Sequence, residues 1–285
     1  MADDPDYAAT VEARFAADVE EILSHRHDLG ADFWTTPDGR LGKGAPFGTL
    51  ECVEYLLEFG LDPAAPVMRG AIDLILGAWQ PDGRFRLYPK STALPCHTTS
   101  AVRTLCHAGL VDDPRVRTTL RHLLESRWDD GGWRCNKNPF GRGPESEHSN
   151  PLPTLVALDA FRFSGYLNQD ERLDAAVDFL LSHWDTKAPI GPCRYGIGTL
   201  FMQAEYPFRT YNLFFWVHVL SFYDRAKNDR RFTEALDALS ATLVDGQMVV
   251  ERVVPKLAKL SFCAKGQPSE LATRRYREIL TNLGR

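Results

Sequence analysis

Apolar residues recur along this chain at intervals of three and four, the spacing of a single helical face. Val116, Leu120, Leu123 and Leu124 form one such stripe, and Leu173, Val177, Leu180 and Leu181 form another. Arg115, Arg117, Arg121 and Glu125 fill the opposite positions of the first, so this class of helix turns a charged face to water. Upstream of each lies a second class that is apolar nearly all round. Leu213, Phe214, Phe215, Trp216, Val219 and Phe222 leave such a helix almost no polar face, and a helix of that kind must be buried. These segments end at Gly60-Leu61, Gly109-Leu110, Gly165-Tyr166 and, without the glycine, near Ser221. Only residues 248–254 read as a short strand. The pattern predicts an all-α fold in which buried and amphipathic helices alternate.

The alternation is periodic. Trp34 precedes Pro37-Asp38-Gly39, Trp79 precedes Pro81-Asp82-Gly83, and Trp128 precedes Asp130-Gly131-Gly132-Trp133. Weaker copies lie at Trp184 to Gly191 and at Asp245-Gly246. With the buried helix ends aligned, Thr49, Thr98, Thr154 and Thr210 also fall in register, each eleven residues upstream. Self-similarity at a spacing of ~40–50 residues marks a repeat architecture. In the turns Asp caps, Gly takes positive φ and Trp packs between units. The expectation is a single domain over 1–285, with units at roughly 7–42, 46–86, 96–134, 149–192 and 208–248 and a C-terminal helix at 268–283. Such helices either close into a double ring or stack as an open solenoid.

The Trp…Pro-Asp-Gly-Arg-Phe and Trp-Asp-Asp-Gly-Gly-Trp units resemble the repeats of the terpene-cyclase and prenyltransferase superfamily, over roughly residues 30–283. That superfamily includes squalene-hopene cyclases and protein prenyltransferase β subunits, which are α/α toroids. The resemblance implies an α/α toroid of about five helix-pair repeats, and an enzyme that transfers, cyclises or isomerises a prenyl chain. One departure narrows this. Squalene-hopene cyclases protonate an alkene with an Asp-x-Asp-Asp motif, whereas Asp112-Asp113 and Asp129-Asp130 are bare pairs here. Squalene-type protonation is therefore the least favoured chemistry. Protein prenyltransferases hold zinc with Asp, Cys and His at one rim of the toroid, which directs attention to the thiols.

Composition bounds these expectations. At 285 residues, 44% hydrophobic and 25% charged, the chain excludes disorder, collagen-like repeats and a disulfide mini-scaffold. A net charge of −5 argues against nucleic acid as a partner. The N-terminus has no basic region followed by an apolar run, as a signal peptide would. The longest apolar stretch, at 213–217, is broken by His218 and falls short of the ~20 residues that span a bilayer. The expectation is a soluble, cytoplasmic protein without a transmembrane segment, with contact at a membrane surface left open.

That compartment keeps thiols reduced, so six cysteines point to metal or packing rather than disulfides. Cys52 and Cys106 lie within buried helices and read as core. Cys96, Cys135, Cys193 and Cys263 each follow an Asp-Gly turn or its weaker copy, so a double ring would place them on one rim, with His97 and His148. Thiolates with one imidazole are a tetrahedral zinc set. The candidate ligands are Cys96, Cys135 and Cys193, with His97, His148 or Cys263 as the fourth. Four thiolates would equally suit an iron–sulfur cluster. No spacing matches a close Cys-x-x-Cys pair, and unrelated half-buried loop cysteines are the competing reading.

The same connections carry Arg84, Arg134, Arg194 and Arg209, together with Lys137, Arg142, Phe140, Tyr195 and Tyr211. Guanidiniums grip phosphate or carboxylate bidentately. Arg84, Arg134, Arg194, Arg209 and Tyr211 are therefore candidate substrate-binding residues for a small amphiphile, such as a prenyl diphosphate, whose tail descends between the buried helices. Glu147, His148, Glu205 and Tyr195 are candidate catalytic residues, with Glu and His suited to acid–base work or to supporting a metal's ligands. Asp159 and His218 sit inside apolar helices and require partners. Phosphate loops, Gly-x-Gly-x-x-Gly and Gly-x-Ser-x-Gly do not occur. Three functions remain in view: an enzyme of terpenoid-cyclase or prenyltransferase type acting at one rim, a non-catalytic toroid that binds lipid or protein around a structural metal, and an enzyme of unrelated chemistry that reuses the scaffold.

Overall fold

The computed structural model describes residues 13–135 and 144–285. Lys137, Phe140, Arg142 and the start of the unit at 7–42 lie outside the described residues. Among those described, the chain is mostly helical. Its helices are α1 (Ala16–Ser24), α2 (Thr49–Glu58), α3 (Pro66–Gly77), α4 (Pro95–His107), α5 (Pro114–Glu125), α6 (Pro151–Phe161), α7 (Asp174–Thr186), α8 (Thr199–Met202), α9 (Leu213–Leu220), α10 (Asp224–Lys227), α11 (Arg230–Ser240) and α12 (Glu270–Asn282). None is long and apolar enough to cross a membrane.

The two classes of helix separate by burial. Every residue of α9 is buried, as is every residue of α6 except Leu152. In α5 only the stripe Val116, Thr119, Leu120, Leu123 and Leu124 is buried. The buried helices pack in chain order, α2 on α4, α4 on α6, α6 on α9 and α9 on α12. Each of α3, α5, α7 and α11 packs against the buried helix before it. One continuous apolar core runs through the assembly from Phe15 to Ile279.

The Asp-Gly turns are miniature hairpins. Trp79 bridges Phe85, Ile190 bridges Tyr195, and the Trp128 N–H donates to Gly132 O at 2.8 Å. At the last turn β1 (Leu243–Val244) pairs with β2 (Gln247–Met248). Gly131 shows why glycine is needed at the tip: its φ is +89°, and a Cβ there would lie 2.5 Å from Ala175.

The register threonines tie each hairpin to the next buried helix. Thr98 Oγ1 accepts from the Phe85 N–H at 3.1 Å, and Thr154 Oγ1 accepts from the Trp133 N–H at 3.1 Å. Thr49 donates to the Phe33 carbonyl at 2.9 Å. Thr210 breaks the series, since it lies ahead of α9 and donates to Glu205 Oε2 at 2.6 Å. Thr273 of α12 fills the role instead, accepting from the Met248 N–H at 3.0 Å. By this bond α12 belongs with the buried helices, although its sequence is amphipathic.

A second recurring device escaped the sequence reading. Asp113 caps α5 and pairs with Arg115, Asp170 caps the turn into α7 and pairs with Arg172, and Asp229 caps α11 and pairs with Arg231. The loops before these Asp-x-Arg caps differ in length, which hides their register. The expected strand at 248–254 forms only at its start. Beyond Met248 the segment is held by single bridges, Val249 to Pro268 and Glu205 to Arg252, because no long partner strand lies beside it.

Candidate functional site

Side chains of α2, α4, α6 and α9 line a cavity of about 260 Å³. Leu50, Leu152, Val156, Phe208 and Phe215 form its apolar wall, and Glu51, Glu54, Tyr55, Arg103 and Arg209 supply polar groups. Cys96, His97 and Tyr195 also line it. Helix α2 can face the cavity with both carboxylates because Glu51 and Glu54 are three apart, on one side of the helix.

Below the cavity the buried helices contribute a band of charge. Arg103 of α4 donates from Nε to Asp159 Oδ2 of α6 at 2.6 Å and lies 3.5 Å from Glu54 Oε2 of α2. His107 Nδ1 is 2.6 Å from the same Glu54 oxygen. Asp159 Oδ1 accepts from Arg162 Nε at 2.5 Å. Glu58 accepts from Tyr206 OH at 2.7 Å and from Arg275 of α12, while Glu278 meets both Arg275 and His218 of α9. The band therefore joins α2, α4, α6, α9 and α12. Burial opposes ionisation here, but the Arg103 guanidinium and His107 hold Glu54 down to about 2. Burial likewise opposes ionisation of Glu278, which its hydrogen bond with His218 and the charges around it hold down to about 2. Asp159 is lowered in the same way, by Arg162 and then Arg103. Burial lowers His218.

The candidate ligands are gathered in part. Burial first, then the charges of Cys135 and Cys193, push the Cys96 thiol up to about 11. Tyr195 is pushed up to about 12 by burial and then by Cys193, Cys96 and Cys135. Cys96, Cys135 and Cys193, from three separate connections, are thus near enough for their charges to act on Tyr195. Cys135 is buried, Cys193 exposed and Cys96 intermediate. Asn150 anchors the group, donating from Nδ2 to Cys193 Sγ at 3.4 Å and accepting the Cys193 N–H at 3.1 Å. Even so, among the described residues no three His, Cys, Asp or Glu side chains are placed to hold one metal ion. As arranged, these thiols do not form a ligand shell for zinc or a cluster. Cys263 is buried elsewhere, with Sγ directed to Leu257 O at 3.4 Å. Cys52 and Cys106 are core residues of α2 and α4.

The other candidates divide. Of the proposed substrate-binding residues, Arg209 reaches the cavity, 3.7 Å from Glu51 Oε1. Tyr211 is buried behind Tyr195, with its OH 2.9 Å from His183 Nδ1. Arg84 is paired with Asp82 in its own turn. Arg134 is turned to the Ser146 and Cys135 carbonyls, and Arg194 is exposed. Of the proposed catalytic residues, Tyr195 lines the cavity, whereas Glu147 and His148 are exposed outside it. His148 Nδ1 lies 3.5 Å from Asp130. Glu205 is buried against Thr210 and Arg252, and burial raises it.

Sequence reasoning missed Glu54, Glu58, Arg103, His107 and Arg275. A signal was present: Glu54 and Glu58, like Arg103 and His107, are four apart on one helix, so one face of each carries paired charge. In comparisons with known proteins, no protein-family model and no curated protein matches the chain.

Proposed function

We propose that the buried helices form the inner ring of an α/α toroid, and that its central cavity receives a small amphiphile with an anionic head. Two ties between the chain's ends support the ring. Arg275 of α12 donates from Nε to Glu58 of α2 at 3.2 Å, and Asp18 of α1 accepts from the Ser261 N–H and hydroxyl, both at 2.8 Å. The cavity itself carries the functional reading: it has an apolar wall on one side and the Arg209 guanidinium on the other, and Arg209 Nε has no hydrogen-bond partner among the described residues. Glu51 Oε1 lies 3.7 Å from that guanidinium, beyond hydrogen-bond reach, so there is room for a closer counter-charge. An anionic head supplies it.

With the superfamily resemblance, the reading is an enzyme of terpenoid-cyclase or prenyltransferase type, with Tyr195 and Cys96 among the chemical groups that line the cavity. The cavity volume is just under the ~300–1,000 Å³ of ordinary ligand pockets, so a short prenyl chain suits it better than a long one. Zinc or an iron–sulfur cluster enters only as an occupant that would draw Cys96, Cys135, Cys193 and His97 together. Elemental analysis of purified protein, repeated on Cys135→Ser, tests that part separately.

Calorimetric titration with dimethylallyl and geranyl diphosphate, with pyrophosphate release followed in parallel, tests the main reading. Saturable binding is expected, weakened about tenfold or more in Arg209→Ala, since a charged hydrogen bond contributes ~1.5–3 kcal/mol. Binding indifferent to Arg209→Ala, or none, overturns it. The exposure of Glu147 and His148 outside the cavity favours a second reading, binding without turnover. Saturable binding with no pyrophosphate release would select it.

A further inference from the structure

Three buried polar atoms on cavity-lining residues lack a hydrogen-bond partner among the described residues: Glu54 Oε1, Tyr55 OH and Arg209 Nε. Leaving such atoms unpaired is costly, because each has given up its hydrogen bonds to water. Other such atoms lie elsewhere in the core, among them Thr35 Oγ1, Ser164 Oγ and His218 Nδ1, but these three belong to residues that line one cavity, and two of them to side chains of opposite charge. Glu54 is also fixed in place, because its other oxygen is gripped by His107 at 2.6 Å and faces Arg103 at 3.5 Å. The carboxylate therefore has one oxygen committed to the protein and one to spare.

The spacing of the open valences suits one small molecule. Glu51 and Glu54 lie one helical turn apart on α2, and Arg209 sits at the level of Glu51, 3.7 Å away. Neighbouring positions on a helix face are ~5–6 Å apart, Cβ to Cβ. An ammonium and a carboxylate borne on one carbon of a ligand, each making a hydrogen bond, can reach across that interval. A simple anion, a prenyl diphosphate included, answers Arg209 but leaves Glu54 Oε1 unpaired, so it should bind more weakly than a ligand that meets both.

We propose that the ligand of this cavity is a small zwitterion with an apolar side chain, of the chemical class of apolar α-amino acids. Its carboxylate meets Arg209 Nε and the Tyr55 hydroxyl, its ammonium meets Glu54 Oε1, and its side chain packs on Leu152, Val156 and Phe215. This rests on the cavity reading above and narrows its ligand from an anionic to a zwitterionic amphiphile.

The test is calorimetric titration of the full chain with L-leucine and L-phenylalanine, beside N-acetyl-leucine, leucinamide and geranyl diphosphate. The free amino acids should bind, and blocking either the amine or the carboxylate should weaken binding at least tenfold. Glu54→Gln should lose the discrimination against N-acetyl-leucine, and its fold is to be checked by circular dichroism. Val156→Trp, which fills the cavity without touching the charged groups, should abolish binding even if Glu54→Gln does not fold. N-acetyl-leucine bound as tightly as leucine, or geranyl diphosphate bound in preference through Arg209, overturns the zwitterion while leaving the anion-binding cavity standing. Failure of every compound overturns both.

Discussion

Replacing Asp159 with Asn tests the charged band that joins the buried helices. Asp159 is 2% exposed and accepts from Arg103 Nε at 2.6 Å and from Arg162 Nε at 2.5 Å. The amide keeps the shape but not the charge. Arg103 is then left with Glu54 at 3.5 Å and Arg162 with Glu278 at 3.8 Å, neither a good hydrogen bond. Removing one member of a buried ion pair costs ~3–5 kcal/mol, because the remaining charge stays desolvated. Two guanidiniums share this loss, so about 4 kcal/mol is expected. In a chain of this size that corresponds to a fall in Tm of roughly 10 °C. Urea unfolding followed by the fluorescence of the six tryptophans measures it, and an unchanged m-value would assign the change to stability. Asp178→Asn is the control: its pair with Arg225, at 2.8 Å, is solvent-exposed and is expected to contribute less than ~1 kcal/mol. A loss below ~1 kcal/mol in Asp159→Asn, no larger than in the control, would refute the view that this band holds the buried helices together.

Three further outcomes follow from the same geometry. Glu54 and Glu278 have depressed pKa values, both about 2, so the stability they contribute is present above the unfolded value near 4.5 and lost as pH falls toward 2. Chemical denaturation at pH 7, 5, 4 and 3 should show the loss setting in below pH 5, with about 2 kcal/mol lost by pH 3 that is traceable to Glu54 by comparison with Glu54→Gln. Thr154→Val leaves the buried Trp133 N–H without its acceptor and should cost ~1–3 kcal/mol, whereas Thr154→Ser keeps the bond and should cost less; thermal melts compare the two. Titration of native protein with an aromatic disulfide reagent should find Cys193 fast, Cys96 slow because its thiol is raised to about 11, and the four buried thiols unreactive until denaturant releases all six.

Helix alternation, the Asp-Gly turns and the threonine register were legible because each depends on near neighbours in the chain. A helical stripe repeats every three or four residues, and a positive-φ turn needs its glycine wherever the chain ends up. Thr98 and Thr154 kept their register because hairpin and helix are joined by short connections, while Thr210 and Thr273 exchanged roles where the connection lengthens. That Cys96, Cys135 and Cys193 each follow a turn was legible in the sequence. Whether they can share a metal is not legible there, because a shell of ligands requires placement to a fraction of an ångström and spacing along the chain carries no such precision.

The sequence by itself determined most of the helices, which of them other than α12 are buried, and where the chain turns, through local periodicity and the conformational needs of single residues. Tertiary structure alone decided which charges meet. Glu58 finds Arg275 across more than two hundred residues, Glu54 finds Arg103 and His107, and Arg209 reaches the Glu51 level of a cavity lined by four helices. A charge on a buried helix announces only that it needs a partner. The identity of that partner, and whether a ligand must complete the set, depends on how helices distant in sequence pack side by side.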